Sequence, residues 1–480
     1  MVRRSLFSDI SGLDLSYGRG YFEDTDLAMA VRAHGYQVYM QPLAVVYHQE
    51  GSTLGTDESA EKQALMAANR RIFLSKWQAQ LSSQHVPPST PYHLAATQRY
   101  RRHILWVDDM IPEPDGDSGS VRMYHLWHVL LSEGFHITFF PNMFRYLHYA
   151  LMARMHGVHI VLNRNSLVQR GCPYDVIGVS RKPVFAAWLR VLRVLCPKVP
   201  IIFDTVDLAF IREGRLALSK NYTMQPSIDS LIATIQADPQ LTQLLDSELQ
   251  LVRQSSVSLV VSDSEKQILD RFNTSVPVHI VSNIYEPQGS SFKCEGRRGL
   301  LFVGNMAHEP NRQAITYFVD SILPLLLGML TPEEAKDFTF HVVGANLFDK
   351  DFPALHKEHV TFDGHASDEQ LRALYMRTRL VVAPLLAGAG VKGKISQAMS
   401  FGVPVVATSV AVEGMHLNNG TDCFIADTPT QFAAAVVEPY RSCTRWQELS
   451  DHGLRNVVTF FSKESAQASL LQVLSSLGVT

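Results

Sequence analysis

Charge imbalance, closely spaced cysteine pairs and long apolar runs are all scarce in this chain, and each scarcity excludes something. Lys and Arg number 43 against 46 Asp and Glu, a formal net charge of −3. So small an excess gives no global attraction to nucleic acid or to an anionic membrane, and any anion site must be local. The five cysteines (Cys172, Cys196, Cys294, Cys423 and Cys443) form no CxxC pair and are odd in number. A reduced, cytoplasmic chain is the reading they favour. No apolar run approaches the roughly 18 residues of a membrane span. The richest, 322–330, contains Pro324 and is bounded by Asp320. The opening "MVRRSLFSDI" lacks the apolar core of a signal peptide, so no leader is expected.

The chain has 480 residues, too many for one compact domain, so two or three are expected. Residues 1–80 have their own character. Residues 81–101 are polar and proline-bearing and read as a linker. Beyond them, short apolar runs alternate with helical patterns, the signature of parallel α/β sheets. A first block (102–285) carries expected strands at 103–107, 136–140, 159–162, 175–179, 199–203, 258–262 and 278–282, with a helix over 118–132. A polar connection at 286–299 reads as a hinge. A second block (300–480) carries strands at 300–303, 338–343, 360–363, 379–383, 403–407 and 423–426. Two doubly wound domains of similar size leave a cleft between them, and ligands bind beyond the carboxyl ends of such strands.

One loop is built to meet an anion. In "LLAGAGVKGKISQAMSFGVPVVAT" (385–408), Gly388, Gly390 and Gly393 let the backbone approach a ligand closely. A helix begins near Gly393, and its amides and dipole favour negative charge. Lys392 and Lys394 add full positive charge. An ordinary turn with surface lysines is the bland alternative. The spacing also approaches that of a P-loop, but Ile395 stands where that motif needs a Ser or Thr for magnesium.

These residues resemble a known family. "VVAPLLAGAGVKGKISQAMSFGVPVVATSVAVEGM", "LLFVGNMAHEPNRQAITYFVDSILPLL" and "VTFDGHASDEQLRALYMRTRLVVAP" look like the donor domain of glycosyltransferase family 4. "HILWVDDMIPEPDGDSGSVRMYHLWHVLLSEGFHITFF" and "VPIIFDTVDLAFIRE" are similar to the acceptor-side domain of the same enzymes. The resemblance spans about residues 102–480 and implies the GT-B architecture, two Rossmann-like domains facing a cleft. It implies transfer of a sugar from a nucleotide sugar to a polysaccharide or glycolipid acceptor, with retention and without a metal or other cofactor. It implies donor contacts from Gly304, Arg312, Gly388, Gly390, Lys392, Gly393, Lys394 and Gln397, with Glu413 on a donor hydroxyl. Ser118, Gly119 and Arg122 form the acceptor-side loop, with Ser118 and Ser120 as helix caps, and Asp207 is the polar group best placed at the cleft. Many members carry two glutamates eight positions apart, where this chain has Ala389 and Gln397, and a histidine after strands like "DTVD", where residues 204–209 hold none. With no such base, the leaving diphosphate itself is expected to take the acceptor's proton. Asp108 and Asp109 end a strand facing the cleft. The pairs His125/His128 and His356/His359 have a ligand-like spacing but no third ligand, so they are read as surface or core residues.

Residues 1–80 resemble something else. "GYFEDTDLAMAVRAHGYQVYMQPLAVVYHQEGSTLGTD" is similar to the carboxyl-terminal part of glycosyltransferase family 2, a GT-A fold. That resemblance makes Glu23-Asp24 an acceptor-side pair with Asp24 as base, and His48 a residue near the donor's metal. Only 22 residues precede Glu23, with no nucleotide-binding half among them, so the segment is expected to be the vestigial remainder of a truncated two-enzyme fusion, or part of a longer chain whose start was placed too late, with a partner chain as a further source of the missing half. Leu27, Val31 and Phe73 are expected to be exposed for want of a core. Two other readings stay open for the whole chain: a non-catalytic nucleotide-sugar-binding scaffold, and an epimerase of the same fold. The transferase is expected in the cytoplasm, with peripheral attachment at the inner face of a membrane left open.

Overall fold

The structure, a computed structural model, describes residues 1–39, 44–47, 59–84, 90, 95–97, 100–115, 117–219, 227–289, 294–347, 358–388 and 390–479. His48, Ala389 and His356 lie outside the described residues. The chain divides into two compact units, Met1–Arg99 and Tyr100–Thr480.

The first unit is helical, and no strand occurs among its described residues. Its helices include Glu23–Ala33 and Ala60–Lys76. Tyr17, Phe73 and Trp77 form a small core, with Phe22, Met29 and Ile72 packed on it. Asp26, 3% exposed, ties this core together. It accepts hydrogen bonds from the Tyr17 hydroxyl at 3.0 Å, the Trp77 indole at 2.7 Å and the Lys76 ammonium at 2.9 Å. The expected exposure of Val31 and Phe73 is corrected: both are buried, and Leu27 is half-buried. The large apolar side chains that do face solvent include Val45, Val46 and Tyr47.

The second unit holds two parallel sheets. The first contains β1 (Arg102–Asp108), β2 (Phe135–Pro141), β3 (His159–Ile160), β4 (Val176–Ser180), β5 (Ile201–Asp204), β6 (Val257–Val260) and β7 (Val278–Ile280). Its order is β3-β2-β1-β4-β5-β6-β7. The second contains β8 (Arg298–Val303), β9 (Phe340–Val343), β10 (Val360–Gly364), β11 (Thr378–Ala383), β12 (Val405–Ala407) and β13 (Phe424–Ile425), in the order β10-β9-β8-β11-β12-β13. Every expected strand is present to within two residues at each end. The central strands β2, β4 and β11 are buried along their whole length, because helices cover both faces of a parallel sheet. Strand order reverses between β1 and β4 in one sheet and between β8 and β11 in the other. Those are the switch points beyond which ligands bind.

Two details differ from the expectation. The Lys463–Ser476 helix, expected within the second domain, packs on the first sheet: Leu470 and Val473 share a core with Ile104, Trp106 and Leu126. Its apolar stripe finds there the face of a sheet whose last strand, β7, ends at Ile280. Four cysteines are paired, as Cys172–Cys196 and Cys294–Cys443, while Cys423 is free and buried. This corrects the expectation of a reduced chain. The partners lie 24 and 149 residues apart, so no local spacing announces them. Among the described residues, no helix is long and apolar enough to cross a membrane.

Candidate active site

Loops from both sheets converge at the two switch points. From the second sheet come the turn after β8, which contains Gly304, and the glycine loop after β11. Strand β11 delivers the loop, and the Gly393–Ser400 helix leaves it. The N-cap of that helix is Lys392, which makes no side-chain cap bond, so capping does not consume the first amides. Gly390 has a φ of +67° and sits against Val261, just after β6, and Glu265 of the helix Asp263–Asp270 that follows. A Cβ at Gly393 would collide with the Tyr285 hydroxyl and stand 2.9 Å from Ser118 Cβ. The glycines therefore bring loop and helix start against the opposite domain, where larger residues would hold them apart.

The two lysines are held differently from surface lysines. Lys392, 9% exposed, donates to the Gly390 carbonyl at 2.6 Å. Lys394 donates to the Asn311 side-chain oxygen at 2.6 Å and lies 4.1 Å above the Phe302 ring. Burial lowers both ammonium pKa values, Lys392 to about 8 and Lys394 to about 7. For Lys394 the further cause is the charge on Lys392; for Lys392 it is Arg215, opposed by Glu413, Glu265 and Asp207.

Asn311 was not foreseen. The sequence pointed to its neighbour Arg312, which turns outward to Glu309 and the Met306 carbonyl. Asn311 donates to the Asn305 carbonyl at 2.7 Å, and Asn346 donates to the Asn305 side chain at 2.9 Å. A chain of amides thus runs from the loops after β8 and β9 to Lys394. Gly304 lies under it: a Cβ there would stand 3.0 Å from the Asn311 side chain and 3.1 Å from Lys394 Nζ. Gln397 accepts from the Tyr375 hydroxyl at 3.2 Å, which fixes its amide on the second turn of the loop's helix.

The first sheet supplies the other wall. Ser118 begins the Ser118–Ser132 helix, but the cap is Asp117, not a serine: it accepts from the Ser120 amide at 3.0 Å and hydroxyl at 2.8 Å. Gly119 faces Arg181 and Val206. Arg122 is corrected as a loop residue. It is 1% exposed and reaches down to Asp204 at 2.7 Å and the Val281 carbonyl at 3.0 Å. Ser180 also donates to Asp204, at 3.0 Å, so this buried network joins β4, β5 and the helix. Asp108 pairs with Arg181 at 3.1 Å, and burial raises its pKa to about 6.

Asp207 follows a β-branched residue at a strained angle, Val206 with a φ of +63°, and pairs with Arg212. Arg215, one turn later on the Ala209–Ser219 helix, was also missed. It crosses to the second domain, donating to the Gly388 carbonyl at 3.0 Å and pairing with Glu413. Buried Glu248 anchors the start of that helix by accepting from the amides of Ala209 and Phe210 at 3.3 and 3.1 Å. Glu265 is 1% exposed; burial raises its pKa to about 7, and the charge on Asp207 pushes the same way. The Val261 amide donates to its Oε2 at 3.0 Å, while Oε1 faces Gly390 without a partner of good geometry. Neither Arg215 nor Glu265 carries a distinctive local motif; only the closed cleft singles them out. Among the described residues, no cluster of His, Cys, Asp and Glu has the arrangement of a metal site. His125 and His128 are half-buried; both lie beside Tyr124, and His128 also beside His156.

Residues 297–442, which contain this loop, match the family model described as "Glycosyl transferases group 1". The molecule is similar in fold to HepE of Anabaena in complex with UDP-glucose, at 13% identity and a TM-score of 0.57, over 78% of this chain and 100% of that one. It is likewise similar to the sucrose-phosphate synthase of Thermosynechococcus elongatus, at 12% identity and a TM-score of 0.57, over 78% and 99%. The fold is the GT-B architecture, and within it a glycosyltransferase group model matches residues 297–442. In sequence the chain is 29% identical over 158 residues to an uncharacterised 44.6 kDa protein in the cps region of Klebsiella pneumoniae, covering 32% of this chain and 39% of that protein. It is 31% identical over 77 residues to an uncharacterised protein of Sinorhizobium fredii, covering 8% of its length. The chain thus spans well under half of the curated relatives it matches.

Proposed function

We propose that the second unit moves a sugar from a nucleotide sugar to a saccharide or glycolipid acceptor, with retention and without a metal. The observation that carries this reading is Lys394. It is a partly buried ammonium beside an uncapped helix start, and its hydrogen bond goes to a neutral amide rather than a carboxylate. A cation held at that cost is matched by an anionic ligand, and a diphosphate fits between Lys394, Lys392 and the helix amides. The match to a glycosyltransferase group over these residues, and the UDP-glucose bound by HepE, support a nucleoside diphosphate sugar as that anion.

In this reading Gln397 and the loops after β8 and β9 hold the nucleoside side, and Glu413 meets a sugar hydroxyl. Ser118 and Gly119 face the diphosphate from the acceptor side. The departing diphosphate takes up the acceptor's proton, since residues 204–209 hold no histidine to serve as base. The likeness of residues 1–80 to family 2 is kept as part of this reading, with Glu23 and Asp24 at the start of a helix. The test is incubation with nucleotide sugars, with products weighed by mass spectrometry. Transfer or hydrolysis of sugar supports the reading. An isomeric nucleotide sugar with no loss of mass points to an epimerase, and binding without turnover to a scaffold.

A further inference from the structure

Arg215 is anchored in the first domain but spends both ends of its guanidinium on the second. One nitrogen donates to the Gly388 carbonyl at 3.0 Å, and the other pairs with Glu413. The side chains of Arg215 and Glu413 are only 10% and 13% exposed. The neighbouring Arg212 is engaged separately by Asp207 and Glu213. Arg215 therefore stands beside the glycine loop next to Lys392, and two like charges share a water-poor floor. Lys392 feels this directly, since Arg215 is the largest charge lowering its pKa. Such crowding of cations is relieved when an anion joins them.

We infer that Arg215 is a cation lent across the cleft: donor binding draws it from Glu413 onto the departing diphosphate and frees Glu413 for a sugar hydroxyl. The inference rests on the transfer reading above and adds a residue to it. In the step concerned, the bond between the anomeric carbon and the diphosphate oxygen breaks, and its electron pair stays on the diphosphate. The acceptor oxygen forms the new bond to that carbon, and the acceptor's proton leaves on the diphosphate. Negative charge grows on the diphosphate as the bond breaks, so a mobile guanidinium acts most strongly in the transition state. Arginine suits the exchange because its fork serves a carboxylate and a phosphate with the same geometry. Arg215 also couples chemistry to closure, since it reaches the loop only when the two domains meet there.

The test uses the full chain and the nucleotide sugar hydrolysed fastest among UDP-glucose, GDP-mannose and dTDP-glucose. Arg215→Ala is expected to lower kcat by at least about tenfold while KM holds or falls, because Glu413 is released to the sugar. Arg215→Lys is expected to restore part of kcat, and it carries the test if the alanine variant fails to fold. A kcat that is unchanged, or a KM that rises with kcat held, would reduce Arg215 to a tie between domains and overturn the inference. A wild-type chain that hydrolyses none of the three and binds none of them overturns the transfer reading itself, and this inference with it. Wild-type turnover with an indifferent Arg215 removes only this one.

Discussion

Lys394 Nζ stands 2.6 Å from Asn311 Oδ1, over the face of the Phe302 ring, so this partly buried cation of the glycine loop is positioned by neutral partners. That arrangement keeps the ammonium available to a ligand. A carboxylate at position 311 would satisfy it permanently.

Asn311→Asp is therefore expected to weaken UDP binding by about tenfold, since a fixed ion pair takes the place of the ligand's charge. Asn311→Ala is expected to cost less. Calorimetric titration with UDP separates the two, and equal affinities in all three proteins would remove Lys394 from the site.

The double variant Lys392→Ala, Lys394→Ala is expected to lower affinity for UDP further, by about 100-fold if each buried contact is worth about 1.5–3 kcal/mol. Stability should hold or rise, because two desolvated ammonium groups disappear. An unchanged dissociation constant would mean that the diphosphate lies elsewhere.

Binding should also depend on pH in a definite direction. Lys394 and Lys392 have pKa values lowered to about 7 and about 8, so above those values they are neutral before an anion arrives. A bound diphosphate favours the charged forms, and binding then takes up protons. Affinity for UDP should accordingly fall as pH rises from about 7 to about 9, by up to tenfold per unit for each lysine titrated. For folding the sign is opposite. These lysines are depressed below their unfolded value of about 10.4, so the unfolded chain binds more protons and their contribution to stability improves as pH rises through that window. A UDP affinity that stays flat across it would contradict the burial of these groups.

Arg122 and Asp204 make a different prediction. Their pair is 1% and 0% exposed, at 2.7 Å. Arg122→Ala leaves a buried carboxylate and is expected to cost about 3–5 kcal/mol in urea unfolding. Arg122→Met paired with Asp204→Asn should recover part of that. A variant that kept wild-type stability and lost only donor affinity would restore Arg122 to the loop.

In the first unit, Asp24→Asn should leave sugar release intact, since Asp24 lies in a small helical unit whose buried tie is Asp26. A large loss of activity in that variant would show that the unit takes part in the chemistry.

The strands and the glycine loop were legible in the sequence because burial on both faces imposes unbroken apolar runs, and an anion-binding turn needs glycine and cation together. What the sequence hid was set by the tertiary fold. Arg312 carries the charge that draws the eye, but the turn after β8 points it outward and aims Asn311 at Lys394. Arg122 looks like a ligand arginine one turn into a helix, yet the geometry of β5 places Asp204 beneath it. Arg215 and Glu413 are 198 residues apart, and the disulfide partners Cys294 and Cys443 are 149 apart. No local pattern couples such positions. The helix cap moved from Ser118 to Asp117 because a carboxylate can accept from both the amide and the hydroxyl of Ser120.

The central claim is that the cleft of the second unit holds a nucleoside diphosphate sugar. Thermal unfolding of the full chain in a panel of nucleotide sugars and nucleoside diphosphates tests it most directly. A ligand at 100 times its dissociation constant stabilises the folded state by about 2.7 kcal/mol. The prediction is a rise of several degrees for at least one nucleotide sugar and its matching diphosphate, abolished by Lys392→Ala with Lys394→Ala. A panel in which no nucleotide shifts the transition, or in which the shift survives the loss of both lysines, would contradict it.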